Sequence, residues 1–237
     1  MKVFAISDLH LSFSSDKPMD VFGDGWVDHW SIIKKDWDSK VGDEDVVLIA
    51  GDISWGMNIA EAAADFTEIG KMRGRKVIIK GNHDYWWSSY KKVCEAVKDK
   101  GVYPLQNNAV RFDGLVVCGS RGWTQPSESS SDEDKAIYRR ELIRLELSLS
   151  EAAKLKKAGD KLIGMTHYPP FNARFEDSEV TALFEKYGAD LVVYGHLHGK
   201  NVRVLPVVNK GNIPYYITSC DQINNTLTEL ADIRYNI

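Results

Sequence analysis

The chain has 237 residues, 43% of them hydrophobic and 27% charged, with a formal net charge of -4. That balance excludes a disordered or fibrous protein and offers no basic footprint for duplex DNA or RNA, and no apolar run approaches the roughly 18 residues needed to cross a bilayer. Length and composition fit one soluble α/β domain over 1–237, with no internal repeat.

The opening MKVFAIS is too short for the apolar region and cleavage site of a signal peptide, so it reads as the first core strand. After it come a Ser-, Asp- and Gly-rich loop over 11–28, a helix over 29–38, the strand DVVLIA, a helix over 58–71, the strand KVIIK and a helix over 88–99. Strands over 109–119, LVVCGS among them, arrive without an intervening helix. The polar, low-complexity stretch TQPSESSSDEDK over 124–135 precedes a helix over 134–157, whose Ile137, Leu142, Leu145, Leu149 and Leu155 form an apolar stripe. KLIGMT, a helix over 178–187 and DLVVYG follow, and strands over 202–233, including YYITS, again lack helices between them. Helix-free strand pairs call for hairpins, and so for a mixed sheet or a second sheet beside the first. The two long loops are of the kind that is usually functional or mobile. Cys94, Cys118 and Cys220 lie far apart with no CxxC spacing, which points to buried thiols in a reducing cytoplasm rather than to a disulfide framework or zinc ribbon.

Five apolar runs each end in a polar cluster: Asp8-Leu9-His10, Gly51-Asp52, Gly81-Asn82-His83-Asp84, Thr166-His167 and Gly195-His196-Leu197-His198. Open α/β sheets place ligand sites at these carboxyl ends of strands. Any one cluster reads as turn chemistry or a partly buried histidine. Together they hold five of the six histidines, His29 alone lying outside, and core packing does not explain that distribution. Carboxylate, imidazole and one carboxamide, without thiolate, suit Mn, Fe, Zn or Co, whereas magnesium would use fewer histidines. There are more such groups than one ion needs. Two ions sharing a carboxylate would use them all, and pairs about 3.5–4 Å apart serve in-line displacement at phosphorus.

The ordered blocks DLH, GDIS, GNHD, TH and GHLH, spanning residues 8 to 198, resemble the calcineurin-like metallophosphoesterase superfamily, whose pattern is DxH, GD, GNH[DE], H, GHxH. The resemblance implies an α/β protein built as a four-layer α/β/β/α sandwich with two mixed β-sheets. It implies Asp8, His10 and His198 on one metal ion, Asn82, His167 and His196 on the other, and Asp52 bridging. Asn82 and His83 would bind substrate, with His83 facing the phosphate and Asp84 orienting its ring. The implied activity is hydrolysis of a phosphomonoester or phosphodiester by in-line attack of a metal-held hydroxide. The alternative is a catalytically weak metal-bound scaffold for partner binding, which the full ligand set disfavours. An amidohydrolase would place HxH after its first strand, where this chain has DLH. Ser/Thr protein phosphatases carry GDxVDRG, but here the block is GDISWGM, and Asp84 stands where they usually have Glu, which argues against a protein phosphatase. The metal ligands do not encode the substrate, and a small-molecule phosphate ester is the expectation.

Arg121, in GSRGWTQP, is the candidate for a second phosphate clamp because guanidinium offers paired donors, with a surface salt bridge as the competing use. All seven tryptophans lie within the first 123 residues. Packing of the long loops and sheet edge is the favoured role, ahead of an aromatic rim for a base or sugar. The roles of Tyr85 and Tyr168 stay open, as do the metal's identity and the oligomeric state.

Overall fold

The structure, a computed structural model, describes residues 1–199 and 201–232, so residue 233 of the last strand region and residues 200 and 233–237 of the 1–237 domain lie outside the described residues. In chain order the elements are β1 (Lys2–Ile6), α1 (His29–Lys40), β2 (Val46–Ile49), α2 (Ile59–Lys71), β3 (Arg75–Ile78), α3 (Tyr90–Ala96) and β4 (Val102–Pro104). Then come β5 (Ala109–Phe112), β6 (Leu115–Ser120), α4 (Asp132–Leu155), β7 (Lys161–Thr166), α5 (Glu179–Lys186), β8 (Leu191–Tyr194), β9 (Val207–Lys210), β10 (Ile213–Ile217) and β11 (Thr228–Asp232). Two mixed sheets result, ordered β11-β1-β2-β3-β4 and β5-β6-β7-β8-β10-β9. Strands linked through helices pair in parallel, while β5 with β6, β9 with β10 and β1 with β11 are antiparallel.

Strand alternation builds the four layers. Phe4, Ile6, Val47, Ile49 and Ile78 face α1, α2 and α3 in one apolar cluster, while Val116, Cys118, Leu162, Val192 and Tyr194 face α4 and α5 in another. The opposite faces meet in a third cluster: Val3, Ala5, Val46, Leu48, Val77 and Ile79 of the first sheet pack on Leu115, Val117, Ile163, Met165, Leu191 and Val193 of the second. Runs buried on both faces read as continuous rather than alternating hydrophobicity, as the sequence shows.

Two local expectations change. The acidic end of the 124–135 stretch is helical: Ser131 caps α4 by accepting from the Asp134 amide at 3.0 Å, and Asp132, Glu133 and Asp134 sit favourably in its first turn. The buried side of α4 is Tyr138, Glu141, Leu145, Ser148, Leu149 and Ala152, whereas Leu155, the last helical residue, is 39% exposed. The stripe shifts because polar members of that face find partners, Ser148 donating to the Asn108 carbonyl and accepting from the Gly119 amide. Cys118 and Cys220 are buried and Cys94 is half-buried, all as free thiols. No helix among the described residues is long and apolar enough to cross a membrane.

Candidate metal centre

The carboxyl ends of β1, β2 and β3 in the first sheet meet those of β7 and β8 in the second, and backbone hydrogen bonds lock their loops together. The Asp8 amide donates to the Gly51 carbonyl at 2.9 Å, that of His10 to the Asp52 carbonyl at 3.0 Å, and that of Gly195 to the His167 carbonyl at 3.1 Å. Asp8, His10, Asp52 and His196 all have left-handed backbone, with φ between 45° and 74°. Non-glycine residues persist there only where the surroundings over-determine them, and such strain gathers at functional sites. The glycines beside them serve close approach. A Cβ on Gly81 would overlap the Asp52 carboxylate and amide, and one on Gly195 would overlap Ser7 and the Asp8 carboxylate.

All seven expected ligands come together. Donor atoms of Asp8, His10 and His198 lie within 4.8 Å of one another, as do those of Asp8, Asp52 and His167. The Asn82 Oδ1 lies 2.7 Å from His167 Nε2 and 2.9 Å from His196 Nδ1. Asp52 Oδ2 stands between the sets, 3.4 Å from His167 Nε2 and 3.7 Å from His10 Nε2. Asp8 also belongs to both groups, a sharing that the sequence pattern assigns to Asp52 alone.

The electrostatics are those of a cation site. Burial opposes the Asp8 charge, yet His198, then His167 and His10, hold its carboxyl well below the usual range. Asp52 is likewise lowered against burial, by His167. Burial opposes the charge on His167 and His198, but Asp52 raises the first to about 9 and Asp8 the second to about 10. Burial takes His10 and His196 down to about 4, so those rings are neutral and have lone pairs to offer. His10 Nδ1 is buried without a partner, and the acceptor-only Asn82 oxygen faces two ring nitrogens. Nitrogen and oxygen donors with two buried carboxylates and an orphaned imidazole nitrogen fit transition-metal ions.

Neighbouring groups aim the rings. His167 Nδ1 donates to the Ala50 carbonyl at 2.9 Å, turning Nε2 toward Asn82 and Asp52. Trp55 stacks on His10 at 4.8 Å between centroids, Trp26 lies against both His10 and His198, and Tyr168 covers His196 at 4.2 Å. Trp26, Trp37, Trp86 and Trp87 are buried, so packing accounts for most of the tryptophans. His29, the histidine outside the clusters, ties the loop before α1 to the site by bonding the Leu9 carbonyl through Nε2.

The expected pairing of Asp84 with the His83 ring does not occur. Asp84 is fully buried: its Oδ2 accepts from the amides of Asp52 and Gly81, and its Oδ1 from those of Ile53 and Ser54 and from Trp86 Nε1. The carboxylate therefore knits the GDIS and GNHD loops together, and no hydrogen bond joins it to the His83 ring. Burial, then the nearby Asp52 charge, pushes Asp84 up to about 6 against the pull of these donors. The His83 amide donates to Asp52 Oδ1 at 2.8 Å, and its half-buried ring stands 4.7 Å from that of Trp55 and 5.6 Å from that of His10, with Nδ1 unpartnered.

Arg121 Nη2 lies 3.3 Å from Glu141 Oε1, and the guanidinium sits over Trp123, so the competing salt bridge is present. Its backbone still touches the centre, the Arg121 carbonyl accepting from the amides of His167 and Tyr168. Asp221 escaped sequence reasoning. Its Oδ1 accepts from His198 Nδ1 and its Oδ2 from the Gly199 amide. The available signal was its place in SCDQ, a polar cluster after the strand YYIT of the kind that marks the other five loops.

The profile of the calcineurin-like phosphoesterase family matches residues 1–200. The Gene 66 protein of Mycobacterium phage L5 is 38% identical over 78 residues, a match spanning 33% of this chain and 37% of that protein. A 125-residue match at 26% identity to the uncharacterized protein MJ1445 of Methanocaldococcus jannaschii covers 50% of this chain and 68% of that one. Among solved structures, TT1561 of Thermus thermophilus shares the fold with a TM-score of 0.58 and 13% identity over 98% of both chains. By sequence profile, by the order of its motifs and by its two mixed sheets, the chain belongs to the calcineurin-like phosphoesterase family.

Proposed function

We propose that this chain is a binuclear-metal phosphohydrolase that cleaves the phosphate ester of a small molecule. The observation that carries the reading is the convergence of Asp8, His10, Asp52, Asn82, His167, His196 and His198 at the joined ends of two sheets. Asp8, His10 and His198 would hold one ion and Asn82, His167 and His196 the other, with Asp52 shared and Mn, Fe or Zn as the candidate metals. When bound, the ions would supply Lewis-acid polarisation of a phosphoryl oxygen and a water of lowered pKa.

The chain's own residues do the rest. His83 stands beside the ligand His10 with its ring half-buried and Nδ1 unpartnered, suited to grip a phosphoryl oxygen and pass a proton to the departing oxygen. Asp84 fixes the two loops that present Asp52 and Asn82, so its contribution is position rather than charge beside His83. Trp26, Trp55 and Tyr168 pack on the ligand rings and limit water around them. The test is a screen of small phosphate mono- and diesters with the Mn-loaded protein, in which turnover is expected to need metal. Strong preference for phosphoproteins or duplex DNA would refute the small-molecule assignment.

A further inference from the structure

Beside the metal centre lies a cavity of about 330 Å³ whose walls include Lys80, Ser120, Arg121, Arg140, Glu141 and Arg144. Four cations thus face one carboxylate. Glu141 is buried, and its Oε1 accepts from both Arg121 at 3.3 Å and Arg144 at 2.7 Å. Lys80 and Arg140 have no ion pair among the described residues, so the cavity keeps an excess of positive charge. Three polar atoms of wall residues are buried without partners: Ser120 Oγ, in a residue only 6% exposed, Arg121 Nε and the second oxygen of Glu141, Oε2, so that two donor groups and one acceptor are unsatisfied there. Unmet guanidinium, ammonium and hydroxyl donors in one concave site match an oxyanion, and guanidinium forks fit phosphate best.

Three wall residues of this cavity adjoin the metal-centre loops. Lys80 precedes Gly81 and Asn82 in the chain, Ser120 pairs in register with Thr166 immediately before His167, and the Arg121 carbonyl holds the His167 amide. We propose that this cavity binds a second phosphate group of the substrate, so that the preferred small molecule carries one phosphoester at the metal centre and another phosphate among Lys80, Arg121, Arg140 and Arg144. The proposal rests on the phosphohydrolase reading for its kinetic part but not for its anion-binding part.

Two measurements on the 237-residue, Mn-loaded chain separate them, each comparing wild type with Arg140→Gln and with Lys80→Gln/Arg140→Gln. Arg140 is exposed, so its single variant tests the cavity even where the double variant folds poorly. Kinetics compare propanediol monophosphate with propanediol bisphosphate. The wild type should favour the bisphosphate in kcat/KM, and each lost cation should cut that preference by about tenfold, the usual worth of a charge-assisted contact. Calorimetric titration with inorganic pyrophosphate should show a similar loss of affinity. No preference in the wild type, or a preference that survives both variants, overturns the proposal. Weaker pyrophosphate binding with an unchanged substrate preference assigns the cavity to a free anion and overturns the substrate role. Should no ester be turned over at all, the phosphohydrolase reading fails, and the pyrophosphate titration alone upholds or refutes an anion site here.

Discussion

Asp221 and His198 meet at 2.9 Å, the carboxylate accepting from Nδ1 of a ring whose Nε2 lies 2.9 Å from Asp8 Oδ1. Asp221 thereby fixes both the orientation and the tautomer of His198, and its second oxygen is anchored by the Gly199 amide. Carboxylates behind ligand imidazoles raise their basicity, and removing one typically costs about 10- to 100-fold in metal affinity. Asp221→Asn should lose that much affinity at the His198 ion while the ion on Asn82, His167 and His196 is retained. Calorimetric titration with Mn²⁺ would resolve the two sites. Equal affinities in wild type and variant would show that Asp221 has no part in holding metal.

Asp84→Asn separates a loop-fixing carboxylate from a catalytic one. Five N–H groups from Asp52, Ile53, Ser54, Gly81 and Trp86 converge on its two oxygens. An amide at that position turns one acceptor into a donor facing donors. A loss of about 2–4 kcal/mol is expected, since buried donors left unsatisfied cost about 1–3 kcal/mol each and the loops relax in part. Denaturant unfolding of the metal-free protein measures it. Any loss of turnover should be the same for alkyl and nitrophenyl esters, because the defect lies in placing Asp52 and Asn82. A defect confined to alkyl esters would return Asp84 to the role of charge partner for His83.

The two-sheet α/β fold and the meeting of the candidate ligands were legible because both are written locally. Apolar runs such as DVVLIA carry their own period, and each ligand follows its strand within a few residues, as Asp52 follows Ile49 and His196 follows Tyr194. The partners of Asp84 and Asp221 were not legible, because they come from segments that only the tertiary structure brings together. Asp84 lies 30 to 32 positions from Ser54, Ile53 and Asp52 in the chain, and Asp221 lies 23 from His198. GNHD also reads as a turn whose aspartate is free to serve its neighbour, and nothing in the tetrapeptide reveals that Trp86 and three amides of the preceding loop claim it. Leu155 was misjudged for a related reason. A stripe drawn at helical spacing continues to the end of α4, but the face that packs on the sheet is set by Leu145, Ser148, Leu149 and Ala152.

His83→Ala should leave the metal content intact, because no hydrogen bond joins its ring to the seven ligands and its amide, which bonds Asp52 Oδ1, is kept in alanine. Turnover of alkyl phosphates should fall by roughly 10²- to 10⁴-fold, the range for general acid catalysis, with a smaller loss for nitrophenyl esters, whose leaving group departs unprotonated. Parallel elemental analysis and steady-state kinetics check both halves. Equal slowing of both ester classes would make His83 a phosphate anchor only, and loss of metal would make it a ligand.

Asp52 lies between the two ligand sets, within 3.4 Å of His167 and 3.7 Å of His10. A shared ligand belongs to both ions, so Asp52→Asn should lower the occupancy of both, whereas His196→Ala should lower mainly that of the ion on the Asn82 side. Elemental analysis after expression with manganese or iron should give two metals per wild-type chain. A stoichiometry of one in a fully active protein would refute the binuclear arrangement.

Asp160 and Arg111 provide a stability test at the opposite end of the second sheet, away from the ligands. Asp160 precedes β7, and its oxygens accept from Arg111 Nε at 2.7 Å and Nη2 at 3.0 Å, tying edge strand β5 to the turn after α4, where the Lys157 amide also donates to it. The Arg111 hydrogen bonds hold the Asp160 carboxyl below its usual range. A carboxyl lowered on folding contributes stability that is fully present above its unfolded pKa of about 3.9 and disappears as pH falls through the folded value. Asp160→Asn should therefore be less stable than wild type by about 1–2 kcal/mol at neutral pH, consistent with a charge-assisted pair that is only partly shielded from solvent. The gap should narrow below about pH 4, while metal content and turnover at neutral pH match wild type. Denaturant midpoints at a series of pH values measure the gap, and a difference that stayed constant down to the acid limit would mean that the charge on Asp160 is not what stabilises this corner.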